Sequence, residues 1–252
     1  MHRGQCTTQQ DAIHVAGTTY QRSNLLPTQT EVYSDALFAV ADGVAASPTA
    51  ARASRLALRT LADLVGKHAD WSYDGLIGAR HVRATQQALC DALVNKRLAV
   101  GASTSMVAAQ IRGHQLAVVN SGDSRAYRLC ANHGIERLSH DHSERQRLVA
   151  SGEMQEGRSY ASIYDALSDC LIADSAARDF AVHRTTAELK SGDRLLLCSD
   201  GVHDSFANQR WLEQVCAADC LLDAAWQIRD QVIAADASDN FSFILIALEE
   251  RP

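Results

Sequence analysis

Three carboxylates stand where long apolar runs begin or end. Ala36 to Ala41 runs into Asp42-Gly43, Arg194 to Cys198 runs through Ser199 into Asp200-Gly201, and Asp239-Asn240 opens the run from Phe241 to Leu248. Taken singly, an Asp-Gly pair after a strand is most often a turn. Carboxylates that converge at the ends of core strands face a different problem, because burying them unpaired costs several kcal/mol or forces protonation. No Lys or Arg adjoins Asp42, Asp200 or Asp239 in sequence. A hard divalent cation answers that need: oxygen-only donors with retained waters suit magnesium or manganese, and no His/Cys spacing for zinc occurs. Glycine after Asp42 and Asp200 lets a backbone carbonyl approach an ion.

Other acids accompany these three. Asp123, in Asn120-Ser-Gly-Asp-Ser-Arg-Ala-Tyr127, reads equally as a member of the site and as part of a hairpin turn in which Gly122 supplies positive φ. Asp204 follows Asp200 by four, which puts both carboxylates on one side if the chain turns helically after Gly201. Asp11, just before a strand, can support the site from another sheet.

The elements that must position these residues follow from periodicity. Apolar or alternating runs predict strands at Ile13 to Tyr20, Ala36 to Ala41, Thr104 to Ile111, Gln115 to Asn120, Ser124 to Leu129, Arg194 to Cys198 and Phe241 to Leu248. Spacings of three and four predict helices at Thr49 to Val65, Gly78 to Ala99, Ser143 to Ala150 and Leu221 to Ala234, the first capped by Ser47-Pro48. Helices cluster after the second strand and near the C-terminus, with a strand meander between them. That order fits an α+β layered fold better than a doubly wound parallel sheet. Glu153 to Asp165 has neither period and is expected to be a flap beside the site.

Composition narrows the function classes. The chain has 252 residues, a length that one hydrophobic core can support, and no linker-like segment divides it, so a single domain over 1–252 is expected. Hydrophobic residues make up 46% and charged residues 21%, which sets disorder and coiled coils aside. A formal net charge of -6 without a basic run argues against nucleic acid. No apolar run is long enough for a membrane span or signal peptide, and the 7 scattered cysteines read as reduced, mostly small buried hydrophobes. A cytoplasmic protein, monomeric and off the membrane, is expected.

In order along the chain, these segments resemble the protein phosphatase 2C family of metal-dependent serine/threonine phosphatases. Gln10-Asp11-Ala12 resembles its opening Asn-Glu-Asp motif, Val40-Ala-Asp42-Gly43 its first Asp-Gly, and Gly101-Ala-Ser-Thr104 its Gly-x-Ser/Thr-Thr strand start. Gly122-Asp123-Ser124-Arg125-Ala126-Tyr127 is nearly verbatim. Leu138-Ser-His-Asp141-His142-Ser143 resembles Leu-Thr-x-Asp-His-Ser, Cys198-Ser-Asp200-Gly201 the second Asp-Gly, and Asp239-Asn240 the closing Asp-Asn. The resemblance implies a four-layer α-β-β-α sandwich with two central, mainly antiparallel sheets and two or three Mg2+ or Mn2+ ions at one edge. It implies hydrolysis of phosphoserine and phosphothreonine in proteins by a metal-activated water at a dinuclear centre, opposing a Ser/Thr kinase. On this analogy Asp42 bridges both metals, Asp200 and Asp239 complete the first site and the Gly43 carbonyl serves the second. Asp123 and Asp204 hold a third metal, and Asp11, Gln10 and Asn240 support the centre.

The departures from the family pattern bear on catalysis. Gln10 replaces an acidic residue, which predicts weaker binding of the second metal. Cys6 stands where the family's phosphate-binding arginine usually lies, leaving Arg3 or Arg22 as candidates for that role. His142 reads as a structural residue capping the next helix. No Cys-x5-Arg, Asp-x-Asp, P-loop or Gly-x-Ser-x-Gly pattern points to another hydrolytic chemistry. The alternative from a different class is a catalytically weak phosphatase-fold module that regulates or binds phosphoproteins.

Overall fold

The structure is a computed structural model that describes residues 1–32, 35–94, 97–130, 134–155, 158, 160–174, 179–206 and 208–249. In chain order its strands and helices are β1 (Ala12–Val15), β2 (Thr18–Tyr20), β3 (Ala36–Gly43), α1 (Ala50–Lys67), α2 (Ala79–Leu89), β4 (Ala102–Arg112), β5 (Gln115–Ser121), β6 (Arg125–Cys130) and β7 (Gly134–Arg137). They continue with α3 (Glu144–Ala150), β8 (Leu171–Ala173), β9 (His183–Glu188), β10 (Arg194–Cys198), α4 (Asp200–His203), α5 (Arg210–Ala217), α6 (Leu221–Ala234) and β11 (Phe243–Ala247).

Side-chain alternation sorts these strands into layers. In β3, Leu37, Ala39 and Ala41 join Ala57, Leu58 and Leu61 of α1 and Val82 and Leu89 of α2 in one core. The alternate residues Ala36, Phe38 and Val40 meet Leu195, Leu197 and Ile244 from the other sheet in a second core. On the far side, Leu196 and Cys198 pack with Trp211, Leu212, Ala224, Ile228 and Val232 of α5 and α6. The layers therefore run helix, sheet, sheet, helix, as the resemblance implied. One sheet has seven strands in the order β2-β1-β3-β4-β5-β9 with β8 paired to β4, and the other has the order β11-β10-β6-β7. Every named pair is antiparallel.

Several local expectations are corrected. Ile13 to Tyr20 is two strands, because Ala16 and Gly17 both take positive φ and turn the chain between them. The first helix is capped by Thr49 at φ 55 without a side-chain bond; Ser47 instead places its Oγ 3.1 Å from the Ser103 N–H, tying the loop to β4. The helix after Gly78 is α-helical only to Leu89 and widens to a π segment over Cys90–Val94; residues 95 and 96 lie outside the described ones. β7, β8, β9 and α5 were not anticipated. The cysteines are less uniformly buried than expected: Cys170 and Cys198 are buried, Cys6, Cys90 and Cys216 half-buried and Cys220 exposed, none of these six in a disulfide, while the Cys130 side chain lies outside the described set. No described helix is long and apolar enough to cross a membrane.

Candidate metal centre

The alternation that builds the layer between the sheets also builds the site. Asp42 continues the Phe38, Val40 series of β3, Ser105 the Val107, Ala109 series of β4, Ser199 the Leu195, Leu197 series of β10, and Asp11 precedes Ile13 of β1 by two. At one edge the apolar filling between the sheets thus gives way to carboxylates and hydroxyls. A cavity of about 220 Å³ opens there, lined by Asp42, Gly43, Val44, Ala45, Ser105, Asp123, Asp165, Ala166, Leu167, Asp200 and Asp239.

Each acid is held by a local device. Asp42 pairs in register with Ser105, and its carbonyl oxygen accepts from Thr104 Oγ1 at 2.7 Å. Gly43 admits no side chain, since a Cβ would lie 2.7 Å from the Ala50 carbonyl oxygen and 2.9 Å from that of Gln10. Asp123 sits in the turn from β5 to β6, where Gly122 at φ +101 leaves no room for a Cβ, which would stand 2.4 Å from Ser105 Cβ. His203 Nε2 lies 3.2 Å from the Asp123 carbonyl oxygen. Asp200 opens the single turn of α4, closed by the Asp204 N–H donating to the Asp200 carbonyl at 2.8 Å. Asp239 accepts from the Asn240 N–H at 2.6 Å.

Asn240 and Asp11 link the parts. Asn240 is buried; its Oδ1 accepts from the Gln10 N–H at 2.6 Å, and its Nδ2 donates to the Arg3 and Thr8 carbonyls at 2.8 and 3.1 Å. Asp11 is wholly buried and accepts from Ser199 Oγ at 3.0 Å, joining the two sheets beneath the cavity. Both residues therefore lie behind the cavity wall and outside its lining.

The electrostatics are those of crowded, buried acids. Burial, then the charge of Asp200, pushes Asp11 and Asp123 up to about 7. Burial, then the charges of Asp200 and Asp11, drives Asp42 well above the ordinary range. Burial also raises Asp200, although contact with Asp42 and the charge of His203 oppose the shift. One oxygen of Asp200 and one of Asp11 are buried with no hydrogen-bond partner. Among the described residues no three His, Cys, Asp or Glu side chains already close around a single point. An all-carboxylate donor set with an orphaned oxygen at its centre nevertheless fits a hard divalent cation, which would relieve both the repulsion and the missing contact.

The remaining sequence candidates fall elsewhere. Gln10 is held by its backbone and does not line the cavity. Asp204 is exposed and outside the lining, its Oδ1 2.8 Å from His203 Nδ1. Arg3 and Arg22 are exposed and do not reach the cavity wall; Arg3 donates to the Thr7 carbonyl at 3.2 Å. Cys6 is close by, its Sγ 3.5 Å from Asp239 Oδ1. His142 is structural, as expected, but it does not cap the helix. Ser143 does that, accepting from the Gln146 N–H, while the His142 Nδ1 lies 3.1 Å from the Gly122 nitrogen and braces the Asp123 turn. Sequence reading missed Ser105, which alternation along β4 could have placed, and reached Asp165 only as the end of the expected flap, without singling it out as a site residue. Part of the expected flap, residues 156, 157 and 159, lies outside the described ones, but its end at Asp165 forms a wall of the cavity.

Gly201 offers a test of this packing. A Cβ there would lie 2.0 Å from the Asn240 carbonyl oxygen, so Gly201→Ala must push α4 off the β11 entry loop. The expected cost is about 1–3 kcal/mol, read in thermal unfolding, together with weaker binding of Mn2+ as Asp200 is displaced.

Two antiparallel sheets face to face, helices outside and an acidic, oxygen-lined cavity between the sheet edges define an α+β sandwich. The model of the protein phosphatase 2C family matches residues 1–236, and the chain belongs to that family. The serine/threonine protein phosphatase PstP of Mycobacterium tuberculosis is 25% identical over 215 residues, covering 85% of this chain, which spans only 41% of that protein's length. The serine/threonine phosphatase stp of Listeria monocytogenes is 26% identical over 217 residues, with 82% of each chain covered. Among solved structures, the mycobacterial PstP superposes with a TM-score of 0.74 at 24% identity, over 98% of this chain and 96% of the other. The PstP catalytic domain in complex with two manganese ions gives 0.71 at 22% identity, over 98% and 95%.

Proposed function

We propose that the chain is a metal-dependent phosphatase acting on phosphoserine and phosphothreonine in proteins, opposite a Ser/Thr kinase. The observation that carries this reading is the convergence of Asp42, Asp123, Asp200 and Asp239 on one cavity, with a buried oxygen of Asp200 left without a partner. Family membership and the manganese reported for the PstP domain support it.

Asp42, Asp200 and Asp239, with the Gly43 carbonyl, would hold the two Mg2+ or Mn2+ ions, and Asp123 an additional one. Bound there, such ions acidify water for attack on phosphorus and neutralise charge on the phosphoryl oxygens. The protein contributes fixed geometry. Ser199 and Asn240 lock Asp11 and the Gln10 backbone, the ladder between β3 and β4 locks Asp42, and the turn of α4 presents Asp200. Wholly buried Asp11 stands behind the centre, where its ionised form would strengthen the hold on cations.

Hydrolysis of a phosphothreonine peptide is expected with Mn2+ and with Mg2+ and is expected to be lost in chelator. Turnover that persists in chelator would point to a different mechanism. No turnover, together with tight and metal-independent phosphopeptide binding, would establish a binding module instead.

A further inference from the structure

Besides its metals, a phosphate-cleaving site gains from a side-chain cation that meets the substrate, and Cys6, Arg3 and Arg22 leave that role open. Cys6 is a thiol, and Arg3 and Arg22 do not line the cavity. Arg125 and Arg137 are committed to Asp141, at 2.7 and 3.1 Å. Arg145 does not line the cavity either, but among the described ion pairs its pair with Asp165 reaches a residue that does: Arg145 Nη2 lies 2.8 Å from Asp165 Oδ1 and 3.0 Å from Oδ2.

The backbone fixes that pair at the cavity mouth. The Glu144 N–H donates to the Ala166 carbonyl at 2.9 Å and Ser143 bridges Leu167, so the start of α3 is stitched to the wall formed by Asp165, Ala166 and Leu167. Arg145 Nε is buried and makes no hydrogen bond, leaving one donor of the fork unused. Arg145 is half-exposed and paired to a carboxylate that is itself half-exposed.

We propose that Arg145 is the phosphate-recognising arginine of this chain, held by Asp165 until a phosphate monoester enters and takes the guanidinium over. The inference rests on the phosphatase reading. A phosphate dianion offers more charge and more acceptor oxygens than a carboxylate, and a planar guanidinium released by Asp165 can meet two of them at once. Asp165 acts as a placeholder: it holds the side chain at the mouth and repels phosphate until the exchange.

The test uses inorganic phosphate as probe on the Mn2+-loaded protein, with binding measured by titration calorimetry, so its readout does not depend on turnover. Arg145→Ala is expected to weaken phosphate binding by about tenfold or more, the scale of a lost hydrogen bond to a charged group, with Tm and Mn2+ affinity unchanged. Arg145→Lys should recover only part of the loss. Asp165→Asn should tighten binding, because the competing carboxylate is gone. In turnover, Arg145→Ala should raise KM for p-nitrophenyl phosphate and for a phosphothreonine peptide by similar factors, with little change in kcat. Unchanged phosphate affinity in Arg145→Ala would overturn the assignment, as would a KM change confined to the peptide, which would make Arg145 a contact for the peptide chain. Loss of wild-type turnover with phosphate binding still dependent on Arg145 would count against the phosphatase reading alone.

Discussion

Asp200→Asn is expected to lower Mn2+-dependent hydrolysis of a phosphothreonine peptide by roughly a thousandfold or more, while the metal-free protein becomes more stable. The two effects have one origin. Asp200 raises the pKa values of Asp11, Asp42 and Asp123, and one of its oxygens is buried without a partner. Removing its charge removes a proposed cation ligand, and losing even one charge-stabilising donor commonly costs two to three decades in rate. It also removes repulsion that the metal-free protein must bear. A residue that served folding alone would destabilise when changed, so a higher Tm with lost turnover is the diagnostic pair. A lower metal-free Tm, or turnover within a few-fold of wild type, would refute the assignment.

The same charges set a pH dependence whose sign is fixed. Asp11 and Asp123 rise from 3.8 to about 7 on folding, so across that window the folded protein binds more protons than the unfolded chain. Stability from these groups is full below about pH 4 and is lost as pH rises towards 7. The metal-free Tm should therefore fall between pH 5 and pH 8, and less steeply in Asp200→Asn. Mn2+ at about a hundred times its Kd should add about 2.7 kcal/mol, roughly 5–10 °C in Tm, with its affinity rising as pH rises because protons and cations compete for the same oxygens.

How much of this was legible in the sequence depended on burial. β3 and β10 announce themselves because both faces are covered, one by helices and one by the opposite sheet, and Asp42 and Asp200 are conspicuous because they interrupt that pattern. β9 was missed because His183-Arg-Thr-Thr-Ala-Glu188 is only half-buried along most of its length and carries polar side chains. α5 was missed because its eight residues offer only Trp211, Leu212 and Val215 as a buried stripe. The cap of α1 eluded reading for a tertiary reason: Ser47 has the chemistry of a cap but serves Ser103 on β4, and Thr49 takes the left-handed conformation instead. Within the site, the carboxylates could be read because they end strands. Asp165 could not, since its place follows from the stitching of 166 and 167 to the start of α3, a contact that no local pattern encodes.

Asp141 was quoted in the sequence only as part of a motif, yet it carries the largest stability effect expected here. It is buried, and its carboxylate accepts from Arg125 Nε at 3.1 Å, from Arg125 Nη2 at 2.7 Å and from Arg137 Nη1 at 3.1 Å. Burial works against its charge, but the two guanidinium groups prevail and hold the carboxyl below its ordinary range. This linkage has the opposite sign to that of the metal-centre acids. Its stability is present above about pH 4 and is lost as pH falls through the depressed folded value. Asp141→Ala leaves Arg125 mostly buried and unpaired beneath β6, and breaking such a pair costs about 3–5 kcal/mol, a loss of roughly 10 °C in Tm by calorimetry. Asp141→Asn keeps the shape without the charge and should fall between the two. Because Arg125 opens β6 directly after the Asp123 turn, the destabilised protein should also bind Mn2+ more weakly. An Asp141→Ala protein that unfolds within 2 °C of wild type, against the expected ~10 °C, would show that solvent readily takes over the pairing of Arg125 and that the turn is held by Ser105 and His142 alone.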